Sequence, residues 1–141
     1  MPAVSHPPPS TLSFPTDAYA QMIGAAYDSY PLEACGLLVG KGDRVHRFVA
    51  CTNEAASARV YTVPGKELLH AERAAEADGL AVIGVFHSHT HSEPYPSPTD
   101  VEQAPDPEWF YVIVSLKRAA PEARCYRIVD GTVDEVPISA G

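Results

Sequence analysis

Residues 79–100 read GLAVIGVFHSHTHSEPYPSPTD and join an apolar run directly to a cluster of polar side chains. The run 79–86 has the length and character of a buried β-strand. Because alternate residues of a strand point to the same side, His87 and His89 present two imidazoles together at the end of this strand. One metal ion needs ligands arranged in this way, so the segment predicts a metal site beside a central strand.

The stretch Ser97-Pro98-Thr99-Asp100 has the pattern of a helix start, with serine at the N-cap, proline at the first helical position and an acidic residue at the third. Asp100 is thereby held on a rigid turn. Two histidines and one carboxylate leave the fourth position of a tetrahedral zinc site open for water, which is the catalytic arrangement. We therefore predict one zinc ion per chain, bound by His87, His89 and Asp100.

His91 continues the alternation of the two histidines and is an alternative third ligand, since three-histidine zinc sites are chemically sound. Residues 92–94 read as a loop, which would turn His91 off the strand. We favour Asp100 as the ligand and expect His91 at the rim of the cleft, near substrate. Tyr95 either shapes a groove for an extended peptide or packs the loop.

Hydrolysis at such a centre also needs a base. Glu33 is the best candidate, because it is a lone acidic residue immediately before the apolar strand predicted over 36–40. We predict that Glu33 acts as general base and that the Ser97 hydroxyl donates to the oxyanion formed when a carbonyl is attacked.

Composition limits the other possibilities. The chain of 141 residues is long enough for one domain with a hydrophobic core. Its net charge of −8, without a basic cluster, argues against nucleic acid or an anionic membrane as partner. Three widely spaced cysteines indicate no disulfide framework, and no apolar run is long enough to span a bilayer. We expect a cytoplasmic protein.

The periodicity predicts an α+β domain over 14–141, preceded by a disordered proline-rich tail over 1–13. The predicted helices are 16–30 and 64–78. The predicted strands, which form a mixed, curved sheet, are 36–40, 44–50, 60–63, 79–86, 109–116, 124–129 and 132–137. Asp130-Gly131 is predicted to form a tight hairpin turn.

Glu33, followed downstream by His87-x-His89-x7-Ser97-x2-Asp100, closely resembles the signature of the JAMM/MPN+ (Mov34/PAD-1) zinc metalloprotease family. In that family the two histidines and the aspartate bind zinc, the glutamate is the general base and the serine stabilises the tetrahedral intermediate. The resemblance extends over about 14–137. The stretches 33–36 and 95–97 are similar to those of the bacterial Mec subgroup, whose members remove cysteine from the C-terminus of a ubiquitin-like sulfur carrier protein.

The resemblance implies a single MPN/JAMM domain, a curved mixed sheet flanked by helices with a cytidine-deaminase-like architecture. It implies a peptidase or isopeptidase that hydrolyses the amide after a Gly-Gly-like carrier tail, with the ubiquitin-like sulfur carrier as partner. It also puts Asn53 near the cleft, as a substrate contact or as an ordinary turn asparagine. A homo-oligomer is compatible with the sequence.

Three alternatives stand beside this hypothesis. A zinc deaminase would need His-x-Glu and Pro-Cys-x2-Cys arrangements, which the sequence lacks. A non-catalytic MPN-type interaction module is disfavoured because all five signature residues are present. A zinc hydrolase that acts on another amide stays open.

Overall fold

The computed structural model describes residues 11–141, in which eight strands form one sheet with helices on both faces. The strands lie in the order β7-β6-β5-β4-β2-β3-β1-β8. The pairs β4–β5, β1–β3 and β1–β8 are parallel and the others are antiparallel, which confirms the mixed sheet. The elements are β1 (Leu12–Phe14), α1 (Thr16–Ser29), β2 (Cys35–Lys41), β3 (Arg44–Cys51), α2 (Gly65–Ala77), β4 (Ala81–His89), α3 (Pro98–Glu102), β5 (Phe110–Ser115), β6 (Glu122–Val129), β7 (Thr132–Val136) and β8 (Ile138–Ala140).

Strand β4 lies in the middle of the sheet, and its side chains alternate between two buried layers. Phe86 belongs to the layer that Met22 of α1 covers, and Val85 belongs to the layer that Ala71 of α2 covers. His87 and His89 are in phase with Val85, so they project from the face that carries α2. The two apolar layers therefore fix which face of the sheet receives the imidazoles.

Both termini of the described chain contribute strands to the same side of the sheet, with β8 at the edge and β1 next to it. Leu12 is fully buried and lies beside Ile138 in the parallel pair β1–β8. The predicted tail over 1–13 is therefore wrong for Leu12 and Ser13, and its residues 1–10 lie outside the described residues. Strand β8 was not predicted as a separate element. Three-residue strands carry too little pattern to stand out beside prolines.

The strand predicted over 60–63 is wrong. These residues join no sheet, and the Asn53 side chain takes two of their backbone groups. Its Nδ2 donates to the Val60 carbonyl at 2.9 Å, and its Oδ1 accepts from Thr62 N at 2.9 Å. The other predicted elements agree with the structure to within a few residues.

The hairpin β6–β7 turns at Asp130-Gly131, where φ is 49° and 79°, as a type I′ turn requires. The predicted turn is confirmed. Within residues 11–141, none of the helices has the length and apolar character needed to cross a bilayer.

Candidate metal centre

Three ligand atoms converge at the end of β4. The distances between His87 Nε2, His89 Nε2 and Asp100 Oδ2 are all 3.1 Å. All three side chains are buried, with at most 9% of each residue exposed. The structure thus brings together the predicted ligands, which come from β4 and from α3.

The triangle fits a single tetrahedral ion. Ligands about 2.0–2.1 Å from zinc lie about 3.3 Å from one another, close to the spacing found here. Without a metal ion, hydrogen bonds would satisfy the three atoms poorly, because each N–H can donate at full strength to only one of the two neighbouring ligand atoms. His87, His89 and Asp100 could therefore hold a metal ion, with the remaining position open.

The two imidazoles are oriented by different contacts. His89 Nδ1 lies 2.8 Å from the Glu93 carbonyl, to which it donates, so that its Nε2 carries the free lone pair. His87 Nδ1 is buried with no partner among the described residues. The Tyr61 ring stacks on the His87 ring instead, with centroids 4.3 Å apart and planes 15° apart. The Tyr61 ring face, and no hydrogen bond at Nδ1 with the described residues, therefore orients this side of His87.

The electrostatics favour an ionised Asp100 carboxylate beside a neutral His87 imidazole. Burial would raise the pKa of Asp100, but the hydrogen bonds with His87 and His89 outweigh it and hold that pKa well below its usual value. Burial lowers the pKa of His87. Burial would also lower the pKa of His89, yet its contacts with Asp100 and the Glu93 carbonyl raise it overall.

Glu33 reaches the site through strand pairing. In the β2–β4 register, Cys35 lies opposite His87, and continuing this register by two residues places Glu33 opposite His89. The pairing does continue past the strand, since Ser88 N donates to the Ala34 carbonyl at 3.0 Å. Glu33 therefore lies on the same face of the sheet as the two histidines.

The Glu33 side chain has the properties of a proton carrier. It is 3% exposed, and its Oε1 has no hydrogen-bond partner among the described residues. Burial raises the pKa of Glu33 to about 7, an effect that His89 partly offsets. A carboxyl that titrates near neutrality can both accept and return a proton at working pH.

Ser97 forms the predicted helix cap. Its Oγ accepts from Asp100 N at 3.0 Å, and its own N donates to Asp100 Oδ2 at 2.8 Å, which is a complete capping box. The same carboxylate oxygen faces both histidines. Because the cap uses Ser97 Oγ only as an acceptor, its hydroxyl hydrogen stays available to donate.

A cleft of about 330 Å³ opens beside these groups, and we call it the base-side cleft. Glu33, Ser97, His89, His91, Ser92 and Arg59 line it. His91 is exposed there, with its ring 6.0 Å from the Tyr30 ring, at the predicted rim position. Tyr95 is 56% exposed and packs edge-on against Tyr126 at 5.4 Å between centroids. It does not line the cleft.

Asn53 holds backbone groups of its own loop. Its Nδ2 donates to the Glu33 and Val60 carbonyls at 3.0 and 2.9 Å, and its Oδ1 accepts from Ala55 N and Thr62 N. These bonds use the side chain's capacity. Asn53 therefore holds the loop 53–62 against Glu33, as a turn asparagine does, and its contact with substrate stays a prediction.

The sequence did not predict two residues of the site. Tyr61 stacks on His87, and Ser88 Oγ accepts from Ala34 N at 2.8 Å, which ties the residue after Glu33 to the strand of the ligands. The alternation His87-Ser88-His89 could have predicted where the Ser88 side chain points, because successive strand residues face opposite sides of the sheet. Nothing local signals the Tyr61 contact.

At the end of the central strand, two histidines and one aspartate form a buried triangle beside a protonatable glutamate. This arrangement defines a metal-dependent hydrolase of the JAMM type. The family model described as prokaryotic homologs of the JAB domain matches residues 15–129, and the chain belongs to this family.

Known proteins agree with this assignment. The chain is 42% identical over 127 residues to the CysO-cysteine peptidase of Mycobacterium tuberculosis, covering 87% of this chain and 86% of that protein. It is 38% identical to the desampylase of Haloferax volcanii, covering 75% and 81%. The solution structure of protein DSY2949 from Desulfitobacterium hafniense has a TM-score of 0.81 at 31% identity, covering 92% of each chain.

Proposed function

We propose that this protein is a zinc-dependent peptidase that hydrolyses the amide after the Gly-Gly-like tail of a ubiquitin-like sulfur carrier protein and releases cysteine. The observation that carries the proposal is the triangle of ligand atoms 3.1 Å apart beside a buried, unpartnered Glu33 carboxyl. The names of the relatives support the substrate class, since one is a CysO-cysteine peptidase and another a desampylase.

The roles of the residues follow from their positions. When bound, zinc supplies a Lewis acid that polarises a carbonyl and activates water near neutral pH. His87, His89 and Asp100 would hold the ion. Glu33 accepts a proton from the attacking water and returns it to the leaving nitrogen as the C–N bond breaks. The Ser97 hydroxyl donates to the developing oxyanion.

Intact-mass spectrometry of a carrier that ends in Gly-Gly-Cys tests the proposal. We expect the zinc-loaded enzyme to remove one cysteine residue, and a chelator to abolish the loss. Zinc binding without any loss of mass would exclude this tail as the substrate and point to another amide.

The matched control is Glu33→Gln, which keeps the shape of the side chain and removes its proton chemistry. We expect this variant to retain zinc and to lose roughly 10²–10⁴-fold in turnover, the usual contribution of a general base. Cleavage at the wild-type rate would show that Glu33 is not the base.

The proposal includes a cytoplasmic location. Cys35, Cys51 and Cys125 are free thiols, as a reducing compartment would keep them. Burial raises the pKa of each thiol to about 12, so none is a nucleophile at neutral pH.

A further inference from the structure

The base-side cleft contains one strongly basic side chain. Among the described residues that line it, Arg59 is the only lysine or arginine. It is exposed, and its guanidinium forms no ion pair within residues 11–141. Arg118, in contrast, pairs with Glu93 and Glu122. The Arg59 guanidinium is thus permanently charged, faces the base-side cleft as Glu33 does, and has no carboxylate partner among the described residues.

The backbone around Arg59 is held in place. Arg59 N donates to Ser57 Oγ at 3.0 Å, and the carbonyl of Ala58 accepts from Thr90 Oγ1 at 3.3 Å. On the other side, the carbonyl of Val60 accepts from Asn53. Thr90 directly follows the ligand His89, so these bonds fix the position of Arg59 relative to the metal centre.

The chemistry of the leaving group brings a negative charge into this region. Glu33 returns its proton to the leaving nitrogen, which must therefore lie within hydrogen-bonding reach of Glu33. In a single C-terminal residue the carboxylate carbon lies only about 2.5 Å from that nitrogen, given standard bond lengths. The released carboxylate would then lie in the base-side cleft, near the carboxylates of Glu33 and Asp100. A cation that faces the cleft would attract it.

We propose that Arg59 binds the α-carboxylate of the released residue, so that this chain is selective for a single residue with a free C-terminus. This inference rests on the proposed peptidase function. A guanidinium pairs with a carboxylate through two parallel hydrogen bonds, which fixes the direction in which the tail enters. An isopeptide bond to a lysine Nζ presents no carboxylate at this position, so Arg59 discriminates against such conjugates.

Three carrier substrates test the assignment: one that ends in Gly-Gly-Cys, the same tail as a C-terminal carboxamide, and Gly-Gly joined to a lysine Nζ. The variants are Arg59→Gln and Arg59→Lys, with Arg73→Gln as the control, because Arg73 is exposed on α2 outside the cleft. We expect Arg59→Gln to lower kcat/KM for the free carboxylate by about 10- to 100-fold, mainly through KM, as the loss of charged hydrogen bonds predicts.

The same substitution should leave cleavage of the carboxamide and of the isopeptide unchanged, and Arg59→Lys should fall between wild type and Arg59→Gln. Binding of the Gly-Gly-Cys carrier to the turnover-deficient Glu33→Gln protein, with and without Arg59→Gln, should show the same loss of affinity. Equal losses on all three substrates, or no loss on any, would overturn the assignment. If the wild-type enzyme cleaves none of the carriers, the proposed function fails, and this inference fails with it.

Discussion

Ser88 shows how one residue joins the two halves of the site. It lies between His87 and His89 but points to the opposite face, where its Oγ accepts from Ala34 N. Ala34 immediately follows Glu33, so Glu33 and the two histidines share one hydrogen-bonded frame. A site held by main-chain pairing keeps its geometry better than one carried on independent loops.

Glu33 should make the metal-free protein less stable as pH rises. Its folded-state pKa of about 7 lies above the ordinary value of 4.5, so the folded state holds the proton more tightly than the unfolded state does. The stability that this proton contributes is complete below about pH 4.5 and is lost as pH rises through 7. We expect Glu33→Gln to gain about 2–3 kcal/mol over wild type between pH 5 and pH 8.

Urea unfolding of the chelator-treated proteins at both pH values measures this difference. If the difference in unfolding free energy between wild type and Glu33→Gln is the same at both pH values, Glu33 does not change its protonation on folding in this range.

Asp100 should decide metal affinity. Asp100→Asn removes the anionic ligand and leaves an amide that binds zinc poorly, so we expect the affinity to fall by more than about 100-fold, beyond the loss typical of an outer-shell change. Competition with a chromophoric chelator measures it. Glu93→Gln is the control, because the Glu93 side chain is exposed while its carbonyl continues to accept from His89. Unchanged affinity in Asp100→Asn would exclude Asp100 as a ligand.

At the scale of elements, α3 owes its position to one cap. The box between Ser97 and Asp100 is the only side-chain cap that either end of this five-residue helix shows, and Asp100 is also one of the three predicted metal ligands. A helix this short is not stable by itself, so its start determines where the carboxylate lies.

Ser97→Ala should therefore cost about 1 kcal/mol of stability and about 10-fold in zinc affinity, because the Asp100 N–H loses the Ser97 Oγ acceptor and the start of α3 is held less firmly. Thermal unfolding and zinc competition measure the two effects. Ser97→Thr keeps the hydroxyl and should restore both. If the alanine variant binds zinc as tightly as wild type, the cap does not orient the ligand.

The elements that the sequence predicted well are those whose causes are local. The cap at Ser97 and the turn at Asp130-Gly131 depend on neighbouring residues, and both are in the structure as expected. The residues 60–63 have the β-branched character of a strand, but Asn53 takes the backbone groups that a ladder would need. Tyr61 meets His87 only after the chain has folded, so no local pattern reveals the contact.

At the scale of the whole molecule, both ends of the described chain complete one edge of the sheet. Strand β1 lies between β3 and β8 in parallel register, and Gly141 N donates to the Phe14 carbonyl at 3.1 Å. The mixed sheet and its central strands follow from the apolar runs of the sequence. The edge does not, because its pairing joins residues from opposite ends of the chain.

Leu12→Ala tests whether this edge is part of the core. Leu12 is fully buried, so we expect a loss of about 2–5 kcal/mol in urea unfolding. The neighbouring Ser13→Ala should change stability by less than about 0.5 kcal/mol. Zinc content should be unchanged, since β1 lies three strand spacings, or about 14 Å, from β4. A Leu12→Ala protein as stable as wild type would show that β1 is dispensable.

The pairing of Leu12 with Ile138 also bears on the order of events during translation. A ribosome makes Leu12 before Ile138, so the Leu12 side chain stays uncovered by β8 until the intervening residues have been polymerised. Residues 81–100, which carry the candidate metal centre, leave the exit tunnel before Ile138 does. The candidate centre can therefore begin to form on a nascent chain before β8 has been added to the sheet.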